Sequence, residues 1–218
     1  MGFKYFDEEI ILDRRKFLKT LVALPASLVA INALENLSKG TGLFLPEAYA
    51  ADARVLTNPN MKASEPFWDL PRSLNVYRPA TKESLNVVYW ENGKISMDGY
   101  SKLCWLMRDH RAKKAAWMDP RVFDLLRAIQ AWVSSYGYTK PIQINSGYRT
   151  AATNNKLEGA AKNSMHLHGK AIDIVVPGLP TNYVGLLAAH YQAGGVGFYP
   201  NSHFVHIDTG RQRYWVGR

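Results

Sequence analysis

Ser164-Met165-His166-Leu167-His168-Gly169-Lys170-Ala171-Ile172-Asp173 places His166 on a loop and Asp173 near the middle of the strand that follows. Side chains in a strand alternate between its two faces, so Asp173 shares a face with Ala171 and Val175. A carboxylate among apolar neighbours is costly to bury unless a cation compensates its charge. A metal ion is one such cation, and an arginine partner is the alternative.

His206 is the third candidate, in Phe204-Val205-His206-Ile207-Asp208-Thr209-Gly210. Its apolar neighbours indicate a second strand, which we expect to lie beside the strand of Asp173. Two histidines and one carboxylate make a three-ligand site that leaves one position for water, as in catalytic zinc centres. The sequence therefore predicts a hydrolase with His166, Asp173 and His206 as zinc ligands, although manganese or iron also accept this donor set.

The elements around these motifs predict one α+β domain over residues 73–218, in which a small antiparallel sheet carries the zinc site and packs against helices. Periodicity and turn residues indicate a β-hairpin first, then two helices, then alternating short strands and helices. The predicted strands are 73–77, 85–89, 141–145, 171–176, 197–199 and 204–208, and the predicted helices are 97–109, 120–136, a short one within 150–163, and 181–192.

Residues 1–50 predict a twin-arginine signal peptide. Asp13-Arg14-Arg15-Lys16-Phe17-Leu18-Lys19 precedes an apolar run over residues 21–34, and Ala48-Tyr49-Ala50 offers a cleavage site. That run falls short of the ~20 residues that span a bilayer, so we expect no permanent membrane span. The prediction is a periplasmic protein exported by the twin-arginine machinery through residues 13–19, with residues 51–72 as an N-terminal arm or linker.

The net charge indicates the class of partner, and the cysteine content shows whether a disulfide is possible. Residues 1–50 hold six basic and six acidic residues, so the remaining 168 residues keep the whole formal net charge of +9. This charge favours an acidic polymer, and export argues against nucleic acid and for the cell wall. Cys104 is the only cysteine, which excludes an intramolecular disulfide, and its apolar neighbours predict a buried position.

The motif Ser164-x-His166-x-x-Gly169-x-Ala171-x-Asp173 resembles the SxHxxGxAxD motif of zinc D,D-peptidases related to D-alanyl-D-alanine dipeptidases and carboxypeptidases. Three further stretches, taken in order, resemble the murein endopeptidase K group: Ser146-Gly147-Tyr148-Arg149, Gly194-Gly195-Val196-Gly197-Phe198-Tyr199-Pro200 and residues 204–210. The similarity covers about residues 73–215.

The resemblance implies a zinc endopeptidase that cuts peptide cross-links of peptidoglycan, with His166, Asp173 and His206 as the zinc ligands. It also implies that Arg149 binds a carbonyl or carboxylate of the substrate and steadies the developing oxyanion. We expect a cut next to D-alanine, with the D-Ala–diaminopimelate bond and the L,D bond between two diaminopimelates both open. The alternatives are a D,D-carboxypeptidase or dipeptidase, and a zinc-containing wall-binding module without catalysis.

The general base does not follow from the resemblance. Related dipeptidases carry a glutamate three residues before the last zinc histidine, where this chain has His203, and related carboxypeptidases carry a histidine two residues before it, where this chain has Phe204. An imidazole suits the role, so His203 is one candidate. Asp208 shares a strand face with His206 and could reach the site or the second ring nitrogen of that ligand. His168 is expected to be solvated or to contact substrate.

Overall fold

The computed structural model describes residues 67–217. The predicted signal at residues 1–50 and the arm as far as residue 66 lie outside this range. Within it, no helix combines the length and apolarity needed to cross a bilayer. The strands are β1 (Arg72–Arg78), β2 (Glu83–Glu91), β3 (Lys94–Ile95), β4 (Ile142–Ser146), β5 (Ala171–Val175), β6 (Gly195–Tyr199), β7 (Phe204–Asp208) and β8 (Arg213–Val216). The helices are α1 (Met97–Leu106), α2 (Pro120–Ser135), α3 (Ala151–Asn154) and α4 (Thr181–His190), with one turn of 3₁₀ helix at Met165–His168.

All eight strands belong to one sheet, in the order β3-β2-β1-β4-β5-β7-β6-β8. Neighbouring strands are antiparallel except for the parallel pairs β1–β4 and β6–β8. The α+β class is confirmed. The prediction of a small antiparallel sheet is wrong, because the sheet has eight strands and two of its pairs are parallel. The hairpin β1–β2 joins the sheet of the site through the Val76–Ile142 register, and the two edge strands β3 and β8 were not predicted.

Strand register separates a helix-facing side of the sheet from a site-facing side. Phe198, Val205, Ile174 and Ile144 lie side by side in β6, β7, β5 and β4, and all four are buried. Helix α4 covers this row, because a Cβ on its Gly185 would lie within 2.2 Å of the Phe198 ring. Residues one position away along β5, β6 and β7 therefore point to the opposite side of the sheet, and a shift of register in β4 brings Ser146 into line with them.

Helix α2 shows how closely local sequence sets the element boundaries. Asp119 caps its first turn by accepting a hydrogen bond from the Arg121 backbone N–H at 3.0 Å, and Pro120 occupies the first helical position. Helix α1 instead ends at Leu106, before the predicted Asp109. The Asp109 carboxylate accepts from the backbone N–H groups of Arg111 and Ala112, both at 3.1 Å, which turns the chain out of the helix.

Strand β1 begins at Arg72, the last residue of the predicted arm. Its guanidinium forms a buried ion pair with Asp124 at 3.0 Å and lies over the Trp90 ring at 3.8 Å. The Tyr89 hydroxyl donates to the same Asp124 oxygen at 2.8 Å. Burial of a charged pair requires such additional partners, so Arg72 is part of the folded core of the domain.

Cys104 is buried as predicted.

Candidate metal centre

His166 is held by a single turn of 3₁₀ helix rather than by an irregular loop. The Ser164 side chain accepts from the His166 backbone N–H at 3.4 Å and caps the turn. Gly169 ends it in the left-handed conformation, with φ of 64°, and a Cβ there would lie 2.8 Å from the Trp117 carbonyl oxygen. The serine and glycine of the motif therefore have structural roles: Ser164 caps the start of the turn and Gly169 ends it.

Asp173 and His206 lie directly opposite each other in β5 and β7, which confirms that their strands are adjacent. The same row continues across the site-facing side of the sheet, with Ser146 beside Asp173 and Gly197 beside His206. Trp215 of the edge strand β8 ends the row. The sheet thus places two of the predicted ligands side by side, and the 3₁₀ turn adds the third.

Hydrogen bonds fix the tautomer of each histidine. His166 Nδ1 lies 2.6 Å from the Gly147 carbonyl oxygen, which can only accept, so Nδ1 carries the proton. His206 Nε2 lies 2.9 Å from Asp208 Oδ2 and donates to that carboxylate. In the neutral rings, the other nitrogens, His166 Nε2 and His206 Nδ1, therefore keep a lone pair that faces the centre of the site. A second proton on His206 would lie on Nδ1 and be donated to Asp173 Oδ1 at 2.9 Å.

Three acceptor atoms converge at that centre. His166 Nε2, His206 Nδ1 and Asp173 Oδ1 are separated by 3.2, 2.9 and 3.2 Å, and the side chains are buried. Acceptors at this spacing repel one another unless a cation lies between them. Ligand bonds of about 2.0–2.1 Å at tetrahedral angles place neighbouring donor atoms about 3.3 Å apart. The donor set and its spacing therefore fit a tetrahedral metal ion with one position left open.

The pKa shifts of the three side chains agree with a metal-binding role for the cluster. Burial alone would raise the pKa of the Asp173 carboxyl, but the neighbouring His166 and His206 outweigh burial and hold that pKa well below its ordinary range. Burial lowers the pKa of His166. Burial also acts to lower the pKa of His206, yet its hydrogen bonds to Asp173 and Asp208 outweigh that effect and raise it. The carboxylate is thus ionised, and His206 is the ring on which a proton competes with a metal ion.

Arg149, for which the resemblance implies a contact to substrate, borders the centre. Its Nη2 donates to Asp173 Oδ2, the oxygen that does not face the histidines, and its Nε donates to Ser146 Oγ at 2.8 Å. Its backbone N–H donates to the His166 carbonyl at 3.1 Å, so the loop after β4 is fixed to the 3₁₀ turn. Arg149 therefore holds one ligand in place and remains partly exposed beside it.

Comparisons with known proteins match this arrangement to one family. The sequence profile of the family described as Peptidoglycan L,D-endopeptidase MepK matches residues 68–215. The chain belongs to this family. It is 39% identical over 149 residues to the Peptidoglycan L,D-endopeptidase MepK of Escherichia coli K12, an alignment covering 66% of this chain and 80% of that protein. It is 42% identical over 152 residues to the Probable peptidoglycan L,D-endopeptidase MepK of Haemophilus influenzae, covering 67% and 80%.

Family membership makes the chain a peptidase and confirms the predicted class of enzyme. It also confirms the resemblance drawn from the four sequence motifs, all of which lie inside residues 68–215. The ligand assignments and the roles of individual side chains remain predictions, and the geometry distinguishes among them.

Asp208 lies behind His206, where it is fully buried. Burial alone would raise its pKa, but hydrogen bonds from His206 and Arg213 outweigh burial and hold the pKa of this carboxyl low. Both of its oxygens are engaged, Oδ2 by His206 Nε2 and Oδ1 by the backbone N–H groups of Gly195 at 3.0 Å and Gly210 at 2.8 Å. Of the two predicted positions of Asp208, beside the reaction site or at the second ring nitrogen of His206, this geometry favours the second. It does not favour a role as general base.

His203 lies in the exposed turn between β6 and β7, with a positive φ of 54°. Within residues 67–217, its side chain forms no hydrogen bond with any member of the cluster. It immediately precedes β7, the strand that carries His206. His168 is exposed, and its Nε2 lies 3.0 Å from Asn163 Oδ1.

Several groups at the site were not assigned by sequence reasoning. The Gly147 carbonyl and Ser146 Oγ belong to the Ser146–Arg149 motif, in which the resemblance implies a role for Arg149 alone. Arg213 and Trp215 of β8 were missed because no strand was predicted there. The His206 and Trp215 rings lie 5.2 Å apart between centroids. The only sequence signal was the position of Trp215 at the end of the region of similarity.

Proposed function

We propose that the chain is a zinc-dependent peptidoglycan endopeptidase that hydrolyses L,D peptide cross-links of the cell wall. The observation that carries the proposal is the convergence of His166 Nε2, Asp173 Oδ1 and His206 Nδ1 within 3.2 Å of one another, each with its lone pair directed inward. The names of the relatives, which specify L,D-endopeptidases acting on peptidoglycan, supply the substrate and the type of bond.

The zinc ion is proposed to be held by His166, Asp173 and His206. When bound, zinc polarises a scissile carbonyl and lowers the pKa of a coordinated water to about 7. A donor set of imidazole nitrogen and carboxylate oxygen suits zinc, although related divalent ions also accept it. The buried positions of the three side chains exclude bulk water from their far sides and keep the electrostatic interactions strong.

Arg149 is proposed to orient the substrate. One Nη2 hydrogen is used on Asp173 and Nε is used on Ser146, so the remaining N–H groups of the fork are available to a carbonyl or carboxylate next to the scissile bond. Since the guanidinium is fixed on two sides before substrate arrives, little conformational entropy is lost on binding.

The general base stays a prediction, with His203 as the candidate. Its exposed turn leads directly into β7, the strand that carries His206, and an imidazole suits the transfer of a proton. Asp208 is not proposed for this role because its two oxygens are occupied by His206, Gly195 and Gly210.

The proposed location is the periplasm, reached through the twin-arginine machinery. The Arg14–Arg15 motif, the apolar run after it and the wall-directed activity of the relatives all favour export. The formal net charge of +9 favours retention on the anionic cell wall, and export argues against a role in binding nucleic acid.

The test is digestion of purified sacculi, some with L,D and some with D,D cross-links, by zinc-loaded and chelator-treated protein. We expect zinc-loaded protein to convert L,D-linked dimers to monomers, and chelation or His206→Ala to abolish the conversion, as read by muropeptide chromatography. His168→Ala is the matched control for metal content, because its ring faces Asn163 rather than the cluster.

Each other product would contradict a stated part of the proposal. Preferential loss of D,D-linked dimers would overturn the bond specificity. Intact dimers with shortened stem peptides would indicate the carboxypeptidase alternative. Unchanged muropeptides with zinc-loaded protein that binds sacculi would indicate a wall-binding module instead of an enzyme.

A further inference from the structure

Arg213 of the edge strand β8 makes a two-pronged ion pair with Asp208. Its Nη2 donates to Asp208 Oδ2 at 2.7 Å and its Nη1 donates to Oδ1 at 3.2 Å. Asp208 Oδ2 is also the atom that receives the His206 Nε2 proton at 2.9 Å. One carboxylate oxygen therefore joins an arginine of the sheet edge to a histidine of the metal centre.

The chain makes room for this contact. A Cβ on Gly195 would lie 2.5 Å from both Arg213 Nη1 and Asp208 Oδ2, so any side chain there would separate the pair. Strand β6 places Gly195 beside Arg213 in the parallel register of β6 and β8. The glycine-rich stretch after α4 thus serves the approach of Arg213 to the carboxylate, a purpose that its sequence alone does not reveal.

A second contact from β8 limits the tilt of the His206 ring. The Trp215 ring lies 5.2 Å from it between centroids, and the Arg213 guanidinium lies 5.0 Å from the centre of the Trp215 ring. Trp215 Nε1 donates to the Tyr199 hydroxyl at 3.1 Å, so the indole is itself fixed. The ring of His206 is therefore constrained from behind by Asp208 and from the side by Trp215.

We infer that Arg213 is a positioning residue for the metal ligand His206, acting through Asp208. The backbone N–H groups of Gly195 and Gly210 hold only Oδ1 of Asp208. Among residues 67–217, Arg213 is the one donor to Oδ2 besides His206 itself, so its fork sets the plane of the carboxylate. The carboxylate in turn fixes the plane of the imidazole and the direction of the Nδ1 lone pair. The inference rests on the metal site of the proposed function, and it adds to that site a residue more than one contact away from the ion.

Exposure separates this role from a purely structural one. The Arg213 side chain is 34% exposed, whereas the Asp208 side chain is completely buried. Ion pairs that reach solvent contribute little to global stability, whereas outer partners of metal ligands have a large effect on metal affinity. Loss of Arg213 should therefore weaken metal binding far more than it weakens the fold.

The test compares full-length wild type with Arg213→Gln, Arg213→Lys and Arg211→Gln. Zinc affinity is measured by competition with a chromophoric chelator, and site geometry by the visible spectrum of the Co²⁺-substituted protein. We expect Arg213→Gln to bind zinc about tenfold more weakly, the lower end of the range for a direct partner of a metal ligand, and to shift the Co²⁺ bands. Arg211→Gln removes the same charge from an exposed side chain nearby and should match wild type.

Arg213→Lys keeps the charge but cannot contact both Asp208 oxygens at once, so its zinc affinity should lie between those of wild type and Arg213→Gln. Thermal unfolding of the metal-free proteins should give similar midpoints for all four. Zinc affinity and Co²⁺ bands of Arg213→Gln equal to those of wild type would overturn the inference. If that variant does not fold, Arg213→Lys carries the test, and wild-type affinity and spectrum in it would overturn the inference equally. Failure of wild type to bind metal would instead remove the metal site of the proposed function.

Discussion

Two aspartates meet the same histidine from opposite sides. Asp173 Oδ1 lies 2.9 Å from His206 Nδ1, and Asp208 Oδ2 lies 2.9 Å from His206 Nε2. Each aspartate is buried and each is paired with an arginine, Arg149 for the first and Arg213 for the second. By residue type, burial and charge partner the two carboxylates are equivalent, yet only one of them is placed to bind a metal ion.

The difference is the number of protein donors on each oxygen. Asp208 accepts from two backbone N–H groups as well as from Arg213 and His206, so both oxygens are saturated. Among residues 67–217, Asp173 Oδ1 contacts only the two histidine rings, whose facing nitrogens carry lone pairs. Arg149 compensates this carboxylate at Oδ2, but Oδ1 faces two neutral imidazoles that offer it no proton. A metal ion would satisfy that oxygen, which favours Asp173 as the proposed ligand and Asp208 as its support.

The largest expected effect comes from Asp173→Asn. The amide keeps the shape of the side chain but loses the negative charge, and Arg149 is left beside an uncharged group. We expect loss of stoichiometric zinc binding and of cross-link cleavage, well beyond the ~10–100-fold change that an outer partner produces. Metal analysis after gel filtration and muropeptide chromatography measure the two effects. Near-wild-type zinc content would show that the two aspartates do not differ as the geometry indicates.

Asp208→Asn should have an intermediate effect. The amide oxygen can still accept the His206 Nε2 proton, but the ionic part of the contact and the pair with Arg213 are lost. We expect zinc affinity to fall by about 10–100-fold, with activity largely restored at saturating zinc. Chelator competition and activity as a function of free zinc measure this. Loss as complete as in Asp173→Asn would place Asp208 in direct contact with the metal, contrary to the structure.

The elements that sequence predicted are those whose signal is local. Pro120 with its Asp119 cap identified α2, and short runs of apolar and β-branched residues identified the β1–β2 hairpin and β5. The parts missed depend on distant pairing. Strand β8 is four residues long and partly exposed, and it exists because it pairs with β6. The parallel β1–β4 contact, which enlarges the sheet, is likewise set by a crossover through two helices rather than by any residue pattern.

The site shows the same division. His166 and Asp173 are separated by a short loop in one motif, and period-two alternation places Asp173 and His206 on the strand faces where they meet. The tautomers could not be predicted, because they depend on the Gly147 carbonyl and on Asp208. Nor could Arg213 be paired with its acid, since a charge in the sequence does not indicate which of several carboxylates it will meet.

The smallest expected effect comes from Ser146→Ala, which tests the Arg149–Asp173 pair alone. Ser146 Oγ accepts from Arg149 Nε at 2.8 Å, and its loss frees one side of the guanidinium while the contact to Asp173 remains. A single partly exposed hydrogen bond contributes about 1 kcal/mol, so we expect kcat/KM to fall about fivefold with unchanged zinc affinity. Steady-state kinetics on a purified cross-linked muropeptide measure this, with Ser101→Ala of α1 as the control. A parallel loss of zinc affinity would mean that Arg149 needs its Ser146 contact in order to hold Asp173 in place, so that the support of this ligand extends beyond the Arg149–Asp173 pair.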